Sequence, residues 1–331
     1  MKDGRVRVGL AGLGYWGPNL ARNFGDLPQS DLAWLCDADP EHLDRIAARH
    51  PGTETTAEFD DLLADESLDA VVIATPVVTH ADLTRRALAA GKNVFVEKPM
   101  ALNAEEAGEL VALAEERDLV LMPGHLLLYH PGVRKLKELI DTGELGDVHY
   151  VYGNRQNLGK VRKDENALGS LGAHDLSVIL YLLEEEPVEC HAHGESYLSE
   201  GIEDVVFCFL RFPSGKVAHM HLSWLDPHKM RRMTVVGAQK MAVFDDMELD
   251  RKVTIYDQGA EQSLGTYGEW RTRSGDTWSP WIPNDEPLRL ECGHFLRLVR
   301  GEDDRFEAAR AGLAVVRTLE QLQRSLERER V

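Results

Sequence analysis

An apolar stretch that stops on charge marks the first candidate for chemistry. Residues 94–100 read VFVEKPM, so Val94, Phe95 and Val96, good strand formers, give way to Glu97, Lys98 and Pro99. A lysine at a cleft can donate and accept a proton once partial burial or a neighbouring cation lowers its pKa. Glu97 can pair with it or hold a bound molecule. Pro99 restricts Lys98 to extended backbone angles and is a candidate for a cis bond. A second proton-transfer candidate is His174 in GSLGAHDLSVILYLL, with Asp175 beside it; an imidazole titrates unperturbed at about 6.5.

The elements that must position Lys98 come from the first third of the chain. Short apolar runs (RVRVGLAG, DLAWLCD, DAVVIAT, NVFVE, DLVLM) alternate with amphipathic segments. Asp39 with Pro40, Thr79 with Asp82 three residues on, and Asn103 provide helix-start signals. Continuous apolar strands alternating with helices predict a doubly wound α/β domain, a parallel sheet covered on both faces.

The first turn, GLAGLGYWGPN, contains Gly12, Gly14 and Gly17 as G-x-G-x-x-G between strand and helix. There the first glycine allows the tight turn, the second lets backbone approach a pyrophosphate, and the third brings helix against strand. Exposed N–H groups at the helix start then hold the anion. Asp37, 25 residues after Gly12, stands where a carboxylate would accept from the adenosine ribose diol and repel a 2′-phosphate, with Asp39 near enough to compete. The pattern predicts NAD rather than NADP. Tyr15 and Trp16 are counted with the same site. Ligands of open parallel sheets lie beyond the carboxyl ends of the strands. Thr75 and Pro76 after DAVVIAT, and Glu97 and Lys98 after NVFV, therefore border the nicotinamide end, where the cationic ring would help to lower the lysine pKa.

These motifs taken in register, GxGxxG, then Ala-Thr-Pro with His80 shortly after, then Glu-Lys-Pro, resemble the glucose–fructose oxidoreductase / inositol dehydrogenase / MocA family over essentially the whole chain. GHLLLYHP, NRQNLGKVRKDEN and HDLSVILYLL are similar to its nucleotide-sugar branch, whose members oxidise C3 of UDP-N-acetylglucosamine or its uronic acid. The resemblance implies His174 as a catalytic histidine, His80 and Glu97 as cofactor residues, and a second domain whose large, mostly antiparallel sheet forms a homodimer or homotetramer. Many members carry an aspartate where this chain has Ser170, which leaves open whether Lys98 or His174 is the base. The rivals are a dehydrogenase of a free polyol such as inositol and a non-catalytic NAD-sensing regulator.

Two domains are expected, 1–122 for NAD binding and 123–331 for substrate and oligomerisation. After residue 123 the pattern changes to half-buried strands and hairpins, an α+β reading with a broad antiparallel sheet. His125 and Tyr129 follow the last strand of the first domain and are expected to border the substrate. Arg155, Asn157, Lys160, Arg162 and Lys163 form a cationic loop suited to a UDP diphosphate, with KMRR at 229–232 as a second possibility. His191 with His193, and His219 with His221, share strand faces but lack acidic or thiolate partners at a ligand spacing, so no metal is expected.

Composition narrows the partners. Of 331 residues 43% are hydrophobic, and 56 acidic against 37 basic residues give a formal charge of −19. Such a surface repels phosphate backbones and anionic lipid, so neither nucleic acid nor membrane is an expected partner. Four scattered cysteines, no C-x-x-C, and no leader or long apolar stretch lead to the expectation of a reduced, cytoplasmic protein.

Overall fold

The computed structural model describes residues 4–159, 161–162, 165–262 and 270–329. The chain packs as two compact units, Met1–Tyr129 with Asp285–Arg317, and His130–Asn284 with Thr318–Val331.

The first unit opens with β1 (Val6–Ala11), α1 (Gly17–Asp26), β2 (Ser30–Cys36), α2 (Pro40–Ala47), β3 (Glu54–Thr56) and α3 (Phe59–Ala64). It continues with β4 (Ala70–Ile73), α4 (His80–Ala89), β5 (Asn93–Glu97), α5 (Ala104–Glu116) and β6 (Leu121–Gly124). The strands form a parallel six-stranded sheet in the order β3-β2-β1-β4-β5-β6 among the described residues. β3 (ETT) has no apolar residue and α3 (FDDLLA) is under two turns long, so neither announces itself in sequence. Asp39 and Asn103 cap α2 and α5 as expected, accepting from Glu41 N and Glu106 N. The Thr79 hydroxyl makes no cap bond to α4; it turns instead to the Thr75 hydroxyl and the Pro76 carbonyl.

Alternation along each strand divides the core into two layers. Val8, Leu10, Val72 and Phe95 pack on one side with Leu20 and Phe24 of α1. Val71, Ile73, Val94 and Val96 pack on the other with Ala87, Leu88 and Leu110 of α4 and α5. The first layer is completed from far along the chain, by Cys292, Phe295 and Leu296. Phe24, Phe95 and Phe295 meet edge-on with centroids 5.7 to 6.2 Å apart. Residues 285–317 thus belong by packing to the first unit, a placement that the expected division at residue 122 did not include.

In the second unit, α6 (Pro131–Asp141) precedes β7 (Val148–Gln156) and α7 (Ala173–Leu183). Then come β8 (Glu189–Glu195), β9 (Val205–Arg211), β10 (Val217–Ser223), β11 (Met230–Gly237), β12 (Met241–Asp245), β13 (Val253–Gln262) and β14 (Trp270–Trp278). They form an eight-stranded sheet ordered β14-β13-β12-β11-β7-β10-β9-β8 among the described residues, antiparallel except for the β7–β10 pair. The chain ends with α8 (Pro287–Val299) and α9 (Glu307–Glu329).

One face of this sheet buries Val206, Cys208, Leu210, Ala218, Met220 and Leu222. On the other, register places His191, Phe209, His219 and Tyr152 in one row across β8, β9, β10 and β7, and His193, Phe207 and His221 in the next. His219 stacks on Tyr152 at 4.9 Å and His221 on Phe207 at 4.4 Å. The paired histidines are therefore members of an aromatic face. Among the described residues no group of three or more His, Cys, Asp or Glu could hold a metal ion. None of their helices is long and apolar enough to cross a membrane.

The turn after β1 separates three glycine roles. Gly12 has φ +94°, and a Cβ there would lie 2.5 Å from the Ala74 carbonyl carbon. A Cβ on Gly17 would come within 2.0 Å of the Gly12 carbonyl oxygen. A Cβ on Gly14 would meet nothing within 4 Å. Gly12→Ala and Gly17→Ala should each destabilise the protein by roughly 1–3 kcal/mol through overpacking, with left-handed strain added at Gly12. Gly14→Ala should melt at the wild-type temperature. Calorimetric melting of the three variants checks this, and equal losses in all three would contradict it.

Candidate active site

In the first unit the sheet delivers the predicted residues to the carboxyl ends of β1, β2, β4 and β5. The Gly12–Gly17 turn opens onto α1, with Tyr15 95% exposed and Trp16 half-buried. Asp37, directly after β2, holds this turn. Its Oδ2 accepts from Leu13 N at 2.5 Å and its Oδ1 from Asp39 N at 2.9 Å. His42 Nδ1 lies 3.4 Å from Asp37 Oδ2, and Arg45 donates to the Leu13 carbonyl at 3.4 Å. Asp39 points elsewhere, capping α2.

The turns after β4 and β5 are joined by one side chain. His80, 2% exposed, sets Nε2 2.8 Å from the Thr75 carbonyl oxygen and Nδ1 2.8 Å from that of Pro99. Burial pushes its pKa down, while the two carbonyl contacts pull it up. The Lys98–Pro99 bond is cis. Thr75 and Thr79 exchange a hydroxyl hydrogen bond at 2.7 Å within the same corner.

Glu97 lies under this corner. Its carboxylate packs against Gly124, where a Cβ would come within 3.2 Å, and accepts from Lys98 N at 3.3 Å. Burial pushes its pKa up to about 7, opposed by the Lys98 amide and ammonium and by a hydrogen bond from Trp16. His125, just past β6, is buried with Nδ1 lacking a hydrogen-bond partner. Burial, with help from the Lys98 charge, drives it down to about 4, so its ring is neutral at pH 7. Tyr129 is also buried, its hydroxyl 2.6 Å from His294 Nδ1 on α8.

Two residues here were not anticipated. Arg45 is a basic side chain on α2, the helix that follows Asp37, and it reaches the Leu13 carbonyl. Glu291 on α8 is 0% exposed, and neither of its carboxylate oxygens has a hydrogen-bond partner. The signal was available: Leu288, Cys292, Phe295 and Leu296 form an apolar stripe at helical spacing, and a glutamate sits inside it.

In the second unit the segment Leu168–Gly172 winds as a π-helical turn into α7, whose first turn carries His174 and Asp175. Asp175 is buried, and Arg155 of β7 binds its Oδ1 through Nε at 2.7 Å and Nη2 at 2.6 Å. Gly153 makes room for it, since a Cβ there would lie 2.9 Å from Asp175 Oδ2. Burial raises the Asp175 carboxyl and Arg155 works against that rise. Ser170, also buried, accepts from the Trp224 indole at 3.3 Å, which gives the smaller side chain a packing partner. Asn157 follows β7 and donates its N–H to the Ser223 carbonyl.

The cationic loop is less free than its composition implied. Arg155 is buried on Asp175, and Arg162 is paired with Glu165 at 2.9 Å. Arg231 and Arg232 of the KMRR stretch pair with Asp246 and Asp245. Lys160 and Lys163 lie outside the described residues.

Comparison with known proteins agrees with the two-unit architecture. Residues 6–125 match the oxidoreductase family with an NAD-binding Rossmann fold, and residues 133–243 match the C-terminal domain of the same Gfo/Idh/MocA group. The UDP-N-acetylglucosamine 3-dehydrogenase of Acidithiobacillus ferrooxidans is 31% identical over 80% of each chain. A solved structure of that enzyme superposes with a TM-score of 0.83 over 98% of both chains, at 28% identity. The scyllo-inositol 2-dehydrogenase (NAD(+)) of Bacillus subtilis is 28% identical over 89% of this chain and 86% of its own. An uncharacterised oxidoreductase of Streptococcus pneumoniae is 29% identical, over 64% of this chain and only 61% of its own length. The chain belongs to the Gfo/Idh/MocA family of oxidoreductases, and its first unit is that family's NAD-binding Rossmann domain.

Proposed function

We propose that the protein is an NAD-dependent dehydrogenase of a sugar hydroxyl, with C3 of a UDP-linked N-acetylhexosamine or its uronic acid as the substrate class. The observation that carries the dehydrogenase reading is the corner made by Thr75, His80, Glu97 and Lys98 at adjacent strand ends. It fixes the backbone of a lysine beside a half-buried carboxylate in a Rossmann domain. The nucleotide-sugar part rests on similarity to the Acidithiobacillus enzyme.

The glycine turn fits a dinucleotide: Gly14 has open space beyond its Cα, so backbone N–H groups can meet a pyrophosphate. Asp37 presents a carboxylate to the ribose end, which favours NAD over a cofactor bearing a 2′-phosphate. NAD, when bound, accepts the hydride that leaves the alcohol carbon. Lys98 takes or returns the hydroxyl proton as the C–O single bond becomes a carbonyl, and His174 is the second candidate for that role. Self-association through the aromatic sheet face, where Phe207 is 51% exposed, completes the reading.

The pairing of Arg155 and Arg162 with carboxylates favours a second reading, a free polyol that needs no diphosphate site. Thermal shift separates them, because a ligand that binds only the native state raises the melting point. UDP and UDP-N-acetylglucosamine, with NAD present, should each stabilise the protein. Stabilisation by inositol and none by UDP would transfer the assignment to polyols.

Lys98→Ala should lower kcat by roughly a hundred- to ten-thousand-fold, the range for a general acid or base, while NAD affinity by calorimetry stays near wild type. Full turnover in this variant would remove Lys98 from the mechanism. Asp37→Ser should shift the NAD to NADP ratio of kcat/KM toward NADP by about tenfold or more, equivalent to about 1.4 kcal/mol. An unchanged ratio would show that Asp37 only holds the turn.

A further inference from the structure

The mechanism leaves a fully buried acid of the first unit, Glu291, unused. Phe95 and Glu97 lie two apart on β5 and so share a face of the strand. Phe295 and Glu291 lie one helical turn apart on α8 and share a face of the helix. The Phe95 and Phe295 rings meet at 5.7 Å. This contact sets the register between strand and helix, and it directs Glu291 and Glu97 toward the same region of the core. Both Glu291 oxygens are buried without a donor, and Cys292, Phe295 and Leu296 surround its turn with apolar surface. An ionised carboxylate in that setting has nothing to offset its desolvation.

We propose that half-buried Glu97 and fully buried Glu291 act as a carboxyl pair that carries at most one negative charge near neutral pH. Glu291 is thereby a positioning residue that sets the charge Glu97 presents to Lys98 and to the nicotinamide end of the cofactor. With Glu291 neutral, Glu97 can ionise against the Lys98 ammonium. With Glu291 ionised, the two carboxylates repel and Glu97 takes up the proton instead. Consistent with this, burial drives the Glu291 carboxyl well above the ordinary glutamate range and the Glu97 charge adds to the rise. The other ionisable groups around the pair are Lys98 and His125 from the strand ends, and Cys292, whose thiol is raised by burial and by both glutamates. Tyr129 and His294 bond each other beside the same helix. The cofactor half of this inference rests on the dehydrogenase reading; the carboxyl pair does not.

The test is melting temperature against pH for the wild type, Glu291→Gln, Glu97→Gln and the double variant, without ligand. A carboxyl whose folded pKa lies above its unfolded value of about 4.3 contributes stability at low pH. It loses that stability as pH rises past the unfolded pKa. Removing the Glu291 proton site should therefore raise the melting temperature relative to wild type by a margin that widens from pH 5.5 to 8.5, reaching several degrees. A merely structural glutamate would give a constant offset. The widening should shrink when Glu97 is already Gln, because the neighbouring charge is gone. Parallel curves, or slopes that add independently, overturn the pair and leave the dehydrogenase reading intact. NAD affinity measured over the same pH range then tests the cofactor half. Its pH dependence should differ between the wild type and Glu291→Gln, and identical profiles would overturn that half alone.

Discussion

His80 supplies the constraint on which the corner depends. Parallel strands end at one edge of a sheet, but their following turns diverge unless something ties them. A buried imidazole between the Thr75 and Pro99 carbonyls does this with two polar contacts at 2.8 Å. In its neutral form, which burial favours, the ring carries one N–H and so satisfies one of these two backbone acceptors. Lys98 lies one residue before the held carbonyl, so its backbone is set by a side chain from another element. The histidine thus acts through position, holding the corner that the Ala-Thr-Pro and Glu-Lys-Pro turns form.

Much of this was legible in the residues. Continuous apolar strands can be buried only under helices on both sides, so the parallel sheet follows from DAVVIAT and NVFV. Glycines at a strand–helix junction have few purposes, and the space around Gly12, Gly14 and Gly17 separates them into turn, opening and close approach. Asp39 and Asn103 were readable as caps because their side chains reach backbone two or three residues away. Thr79 was not, because its hydroxyl had a better partner in Thr75, which no local pattern records.

What sequence could not convey were pairings across long separations. Arg155 looked like a phosphate ligand in a basic loop, yet β7 turns it toward Asp175, twenty residues on. A charge count cannot distinguish a cation facing solvent from one already neutralised. Ser170 is similar: judged by the aspartate of relatives it is a loss, but beside Trp224 it is a hydrogen-bond acceptor. The segment 285–317 was counted with the second domain because nothing local says that the layer over Phe95 is incomplete.

That layer ties stability to chemistry. α8 covers Phe24 and Phe95 with Phe295, and the same helical face carries Glu291 and His294 to the strand-end cluster. The apolar contact fixes where the polar groups arrive, since a helix that slides by one residue turns by about 100° and removes all three at once. A close-packed core therefore orients the acid, and no separate hydrogen bond to Glu291 is needed to hold it. The arrangement also accounts for how a carboxyl without a hydrogen-bond partner comes to lie in this layer. Its apolar surroundings favour the protonated form, and its position is a by-product of the contact that closes the sheet.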